Sequence, residues 1–293
     1  MSGPGPPAIG AAREVGRFLE IQNLGLNLPF ALAFLLVAAG GLPTLWVLGF
    51  AALAFVAARN AGHSFNRWAD RAFDRANPRT EGRALPAGRL SPSFALLSTA
   101  AWAAVLFVAA AAINLLALEL APVALLLILS YSYTKRLGWW TTPFLGLVES
   151  ITPAAAFVAV RGDLPVPAFV AAFGFLAWGT AFETIHSLGD VDADRGLGLH
   201  SIPVRFGVPR AVRTVPILHG IAFLDFAAFG VLSGLRWPYF AALVAMGGLV
   251  AFEDARLFRD PARVRGPFRA HIALGLLFLL GTAGSIFLAG LLP

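Results

Sequence analysis

Hydrophobic residues in this chain gather in blocks of about 20, the length a helix needs to cross the hydrocarbon of a bilayer, with polar stretches between them. Nine blocks are expected to be spans: roughly Leu24–Ala39, Leu42–His63, Ser93–Leu115, Leu118–Tyr133, Thr142–Val160, Pro167–Leu188, Arg213–Leu232, Tyr239–Phe252 and Ile272–Leu292. The first, fourth and eighth are short and need flanking residues to cross. The pattern predicts an all-α, polytopic membrane protein. Composition agrees: 58% of the 293 residues are hydrophobic and 13% charged, with a mean hydropathy of +0.75, whereas soluble domains carry roughly 25% charged residues. Met1–Gly16 is rich in Gly, Pro and Ala and has no apolar core of signal-peptide length. The expected division is a flexible tail over 1–17 and a single transmembrane domain over 18–293. Cys is absent, so disulfides and thiolate metal sites are excluded.

The net charge of +6 is distributed unevenly. Nine spans put the N-terminal tail and the loops after spans two, four, six and eight on one side. That side holds Arg13, Arg17, the run Arg67 to Arg89, Lys135, Arg136, Arg195, Arg205, Arg210, Arg213 and the run Arg256 to Arg269; the other holds Arg161 and Arg236. Cytoplasmic loops are enriched in Lys and Arg, so the expected topology is a multi-pass protein of the cell membrane with a cytoplasmic N-terminus. The basic loops are also the long ones, which places function on that face.

Two carboxylate clusters stand where spans leave the lipid. Span two ends in Asn66, Asp70 and Asp74, spaced i, i+4, i+8 on one helical stripe. Three oxygen-bearing side chains in a row suit a hard cation such as magnesium, which takes carboxylates together with substrate phosphates. Arg71, Arg75, Arg79 and Arg83 follow, and guanidinium groups bind phosphate bidentately. Taken alone, the stretch also reads as an interfacial helix end with Asp and Arg paired. Span six ends in Glu183, His186, Asp190 and Asp194, which carry a polar stripe out of the membrane; Asp192 falls off the stripe and is read as solvated. Two such clusters at one face repel unless divalent cations and a diphosphate lie between them. Lys135, at the end of span four after Tyr131 and Tyr133, is the only Lys among 22 basic residues. A compact ammonium suits a phosphate.

These residues resemble the UbiA superfamily of intramembrane prenyltransferases. The likeness rests on Asn66-xxx-Asp70-xxx-Asp74, on Asn77-Pro-Arg-Thr-Glu-Gly-Arg-Ala-Leu-Pro-Ala-Gly88, on Ser130-Tyr-Ser-Tyr-Thr-Lys-Arg136, and on Asp190-Val-Asp-Ala-Asp194-Arg195 running to His200-Ser-Ile-Pro-Val-Arg-Phe-Gly207. Within the superfamily, the Asn-Pro-Arg-Thr and His-Ser-Ile-Pro stretches are most similar to 4-hydroxybenzoate polyprenyltransferases and menaquinone-pathway relatives. Gln22, Asn23 and Asn27 stand where such enzymes often carry charge, and His63 where a small or apolar residue is common. The resemblance implies a nine-helix bundle with a cytoplasm-facing pocket and magnesium-dependent transfer of a polyprenyl group to an acceptor, often aromatic.

The expected roles follow from both lines. Asn66, Asp70, Asp74, Asp190 and Asp194 hold magnesium; Asn66, Arg71, Lys135 and Tyr131 bind the diphosphate; Arg59, Glu149 and Glu183, ionisable residues inside spans, meet the acceptor. Glu149 and Glu183 also read as a hydrogen-bonded structural pair. The expected partners are a polyprenyl diphosphate, an aromatic acceptor of quinone biosynthesis and the bilayer, with no nucleic acid. A non-aromatic lipid acceptor is the alternative within the same chemistry. An ion-coupled transporter is the alternative outside it, weighed against by both clusters sitting at one face rather than at the midplane.

Overall fold

The computed structural model describes residues 8–20, 25–261 and 267–288, and every regular element among them is a helix. Gln22, Asn23 and the outer ends of the first and ninth expected spans lie outside the described residues. The helices are α1 (Ala8–Phe18), α2 (Leu28–Ala39), α3 (Leu45–Ala76), α4 (Pro92–Ile113), α5 (Leu115–Thr134), α6 (Thr141–Glu149), α7 (Ile151–Arg161), α8 (Val166–Leu188), α9 (Val191–Gly196), α10 (Ile202–Phe206), α11 (Val208–Leu232), α12 (Trp237–Arg259) and α13 (Pro267–Phe287). The tail expected over 1–17 therefore contains a helix. Among the described residues, six stretches are long and apolar enough to cross a membrane: α3, α4, α5, the α6–α7 pair, α8 and α11. Two shorter apolar helices, α2 and His271–Phe287 of α13, stand beside them. The protein is an all-helical, multi-pass membrane protein over its described residues.

Local chemistry sets the helix ends that matter. Thr44 caps α3 by accepting from the Val47 N–H at 3.3 Å. The helix then runs for 32 residues, about 48 Å at 1.5 Å per residue. That exceeds the roughly 30 Å of hydrocarbon, so its last turns, with Asp70 and Asp74, stand beyond the lipid. The fifth expected span is broken between α6 and α7. Pro153 has no N–H to offer the Glu149 carbonyl, and its ring crowds that carbonyl, so the helix stops at Glu149 and restarts at Ile151.

Two kinds of packing hold the bundle. Phe30 and Phe34 of α2, Phe175 of α8, Phe226 and Phe229 of α11 and Phe278 of α13 are fully buried and meet largely edge-on or tilted, with centroids 5.3–5.5 Å apart for Phe34–Phe175, Phe34–Phe229 and Phe226–Phe278. Small residues bring other helices closer. A Cβ on Gly146 of α6 would lie 2.2 Å from the Leu176 carbonyl of α8, and one on Gly179 of α8 would lie 2.9 Å from the Gly146 Cα. Such backbone contact is how small residues seat helices in lipid. It brings Glu149 of α6 close to α8, the helix that carries Glu183.

Candidate active site

A cavity of about 810 Å³ runs down the bundle between α2, α3, α4, α5, α6, α7 and α8. Its wall is apolar over most of the length, with Leu35, Leu106, Leu127, Ile128 and Val158 among the lining residues, and it reaches Leu164 at the start of α8. Its other end is ringed by Asn66, Asp70, Asp74, Arg79, Arg83, Lys135, Asp190 and Asp194. The site is thus an apolar sleeve with a charged mouth.

The ends of α3, α5 and α8 converge at that mouth. Asp70 is buried, with Lys135 Nζ at 2.7 Å, Arg136 at 3.4 Å and the Asn66 amide donating at 2.9 Å. Asp74 accepts from Arg83 at 2.8 Å, and its second oxygen, Oδ2, is buried without a hydrogen-bond partner among the described residues. The segment after α3 folds back between the clusters. Asn77 donates to Asp190 at 3.1 Å, and Arg79 grips the same carboxylate with two bonds of 2.7 and 2.5 Å. Thr80 closes the turn by donating to the Asp74 carbonyl at 2.9 Å.

The second carboxylate stripe is not one continuous helix. Gly189 ends α8, and Asp190 precedes α9, which carries Asp194. Burial works to raise the Asp190 carboxyl, but the Arg79 and Asn77 hydrogen bonds outweigh it and hold the group below the usual carboxylate range. Asp194 lacks such a partner: burial, followed by the neighbouring Asp190 charge, raises it to about 6. Asp192 is exposed, as its place off the stripe predicts. The His200–Pro203 stretch buttresses the mouth through its backbone. The His200 N–H donates to the Lys135 carbonyl at 2.8 Å, and the Ile202 N–H to Thr142 Oγ1 at 3.2 Å.

Deeper in the sleeve the polar groups are tied one by one. Glu149 accepts from the Asn27 amide at 2.6 Å, and Glu183 accepts from the Tyr131 hydroxyl at 2.9 Å, with His186 at 3.6 Å. The two carboxylates therefore have separate partners. Arg59 donates to the backbone carbonyls of Leu19 at 3.0 Å and Glu20 at 3.3 Å, and it lines the cavity. Glu20 pairs with the buried Arg67.

Residues 27–279 match the UbiA prenyltransferase family. The chain belongs to that family. It is 34% identical over 253 residues to the 4-hydroxybenzoate octaprenyltransferase of Cupriavidus necator, covering 84% of this chain and 87% of the relative. Among solved structures it is similar to the apo UbiA homolog of Aeropyrum pernix, with a TM-score of 0.81 at 28% identity over 94% of this chain and 99% of that one. The Archaeoglobus fulgidus UbiA homolog bound to GPP and Mg2+ shares the fold, with a TM-score of 0.67 at 20% identity over 92% of this chain and 99% of that one. As a UbiA-family prenyltransferase, the chain is a membrane-embedded transferase rather than a transporter.

This UbiA-family mouth suits a hard cation. Its donors are oxygens, one of them the unpartnered Asp74 Oδ2. No three His, Asp or Glu side chains close into a shell among the described residues. An ion held by one or two carboxylates would complete its shell with phosphate and water, the habit of magnesium.

Of the expected diphosphate ligands, Arg71 stands outside the cavity and Tyr131 lines it with its hydroxyl already engaged. Arg71 is exposed, donates to the Trp68 carbonyl at 2.7 Å and lies over the Trp68 ring; one residue past Asp70, it is turned about 100° around α3 and does not line the cavity. Tyr131 lines the cavity one turn below Lys135, but its hydroxyl is given to Glu183. Arg79 and Arg83, expected only as part of the run of phosphate-suited guanidinium groups, line the mouth, and the expected roles did not include Asn77 or the Glu20–Arg67 pair. The Asn-Pro step after α3 was the available signal for a chain reversal there.

Proposed function

We propose that this chain transfers a polyprenyl group from a polyprenyl diphosphate to an aromatic ring of the 4-hydroxybenzoate type, in quinone biosynthesis. The observation that carries the reading is the form of the cavity. Only a ligand with an anionic head and a long apolar tail matches a mouth of Lys135, Arg79, Arg83 and opposed carboxylates above an apolar sleeve. The 4-hydroxybenzoate octaprenyltransferase relatives support the acceptor class.

In this reading Asn66, Asp70 and Asp74 on one side, and Asp190 and Asp194 on the other, hold magnesium. Bound there, the metal supplies the positive charge that stabilises diphosphate as the allylic C–O bond breaks. Lys135, Arg79 and Arg83 bind the diphosphate oxygens, exchanging their carboxylate contacts for phosphate ones. The apolar sleeve holds the tail and keeps water from the electron-poor allylic carbon. Arg59 binds the acceptor carboxylate. Glu183, oriented by Tyr131, and Glu149, oriented by Asn27, line the cavity where the acceptor sits, and one of the two carboxylates takes the single ring proton released on transfer.

The same reading makes residues 18–293 one transmembrane domain of nine spans in the cell membrane. α12 joins the six long spans and the two shorter apolar helices, the N-terminus is cytoplasmic and the mouth opens to the cytoplasm. The excess of basic residues at the mouth side supports this.

The test is product mass spectrometry on purified protein given geranyl or farnesyl diphosphate with 4-hydroxybenzoate, other aromatic acids and neutral phenols. Magnesium-dependent prenylation of the acids is expected, with Arg59→Leu raising KM for acids far more than for neutral phenols. Diphosphate release that ignores magnesium, or no prenylated aromatic product, overturns the reading.

A further inference from the structure

A second cavity, of about 410 Å³, lies between α11 and α12, apart from the catalytic sleeve. Pro216, Phe223, Val250, Ala251 and Phe258 make most of its lining apolar, and Gly220 and Gly247 leave it open: a Cβ on Gly220 would meet nothing within 4 Å. One polar feature interrupts it. His219 of α11 and Asp254 of α12 are both buried, and Nδ1 of the imidazole lies 3.1 and 3.0 Å from the two carboxylate oxygens. Among the described residues no hydrogen-bonding partner meets Nε2 of His219. Ile217, Leu224, Val244 and Phe258 are exposed on the outer faces of the same two helices, so lipid is the medium that bathes this side.

A buried His–Asp pair in a membrane span is costly to keep and needs a reason. The aromatic prenyl transfer proposed above makes no use of it. Its chemistry restricts what it can bind. The Asp254 carboxylate accepts from Nδ1, so in the neutral imidazole Nε2 is a hydrogen-bond acceptor. The same carboxylate repels an anion, which excludes fatty acids, phospholipid phosphate and diphosphate. The remaining match is a neutral molecule with one good O–H donor on an apolar body. Phe223 and Phe258 favour a ring in that body.

We propose that the α11–α12 cavity is a second, lipid-accessible binding site for a neutral phenolic lipid, whose hydroxyl donates to Nε2 of His219. The site communicates with the sleeve through one side chain. Trp178 lies against His219, with ring centroids 5.4 Å apart, and also lines the catalytic cavity.

The test uses the full chain in lipid nanodiscs and two photoreactive probes: a 4-alkylphenol with a diazirine in its tail, and the methyl ether of the same molecule. Peptide mass spectrometry should find the phenol on α11 and α12 around Phe223 and Phe258. The ether should label about tenfold less, the loss expected for one hydrogen bond to a buried polar group. Excess unlabelled alkylphenol should compete, and a long-chain fatty acid should not. His219→Phe should remove the preference for phenol over ether. Gly247→Leu fills the cavity without touching the pair and should abolish labelling even if His219→Phe fails to fold. Equal labelling by phenol and ether, competition by the fatty acid, or labelling that survives in a folded Gly247→Leu protein overturns the proposal. These readouts do not depend on prenyl transfer, so the site stands or falls separately from the catalytic reading.

Discussion

Asp190 is held at the mouth by three hydrogen bonds, one from Asn77 and two from Arg79. If it serves magnesium and diphosphate, Asp190→Ala and Asp70→Ala should each lower kcat by at least about 100-fold while the protein stays folded, since losing one preorganised charge at such a site costs that much. Near-normal turnover of either variant at saturating magnesium would remove the carboxylates from the chemistry. The arginines give a sharper contrast. Arg79→Lys keeps the charge but loses the bidentate fork, so KM for the prenyl diphosphate should rise about tenfold. Arg71→Ala should change it little, because Arg71 faces Trp68. Equal effects in a steady-state assay would sink the assignment. Sequence spacing placed Asp70, Asp74 and Lys135 at one mouth because the two aspartates end one span and Lys135 ends another. It could not rank the arginines. Periodicity stops being informative past Ala76, where the chain turns back through Asn77 and Thr80, and only that reversal carries Arg79 to Asp190.

At the scale of helices, the seat of α6 on α8 positions both inner carboxylates. A methyl at Gly146 meets a backbone carbonyl at 2.2 Å, which cannot swing aside as a side chain would. Gly146→Ala should therefore cost about 1–3 kcal/mol through overpacking, lower the melting temperature by several degrees, and reduce kcat as α6 carries Glu149 away from Glu183. Gly49→Ala, in α3, meets nothing within 4 Å and should leave both unchanged. Thermal unfolding of the two variants side by side checks this, and an unaffected Gly146→Ala protein would refute the close packing. Hydropathy alone marked out most of the apolar helices, because lipid demands long apolar runs whatever the packing. It missed the break at Ser150, since Pro153 interrupts hydrogen bonds without interrupting hydrophobicity. It also missed α1, whose Gly- and Pro-containing surroundings read as a tail.

At the scale of the whole molecule, the cavity runs from the carboxylate mouth to Leu164 at the opposite end of α8, so the direction of the bundle decides from which side the diphosphate enters. Basic residues crowd the mouth side, while Arg161, bonded to Asp163 at 2.9 Å, sits at the far end. The absence of Cys makes this measurable without a background. Glu81→Cys lies in the exposed segment beside the mouth, and Asp163→Cys in the exposed turn between α7 and α8. Neither should disturb the fold, since an exposed ion pair such as Arg161–Asp163 is screened by water and contributes little. A membrane-impermeant maleimide added to intact cells should label Asp163→Cys and spare Glu81→Cys; inverted vesicles should give the reverse. The positive-inside bias requires that order, and the soluble, anionic head of the substrate then reaches the mouth from the cytoplasm. Labelling of both positions from one side would break the alternation of spans between them. Labelling of Glu81→Cys from outside would turn the mouth, and the proposed entry of the diphosphate, to the other face of the membrane.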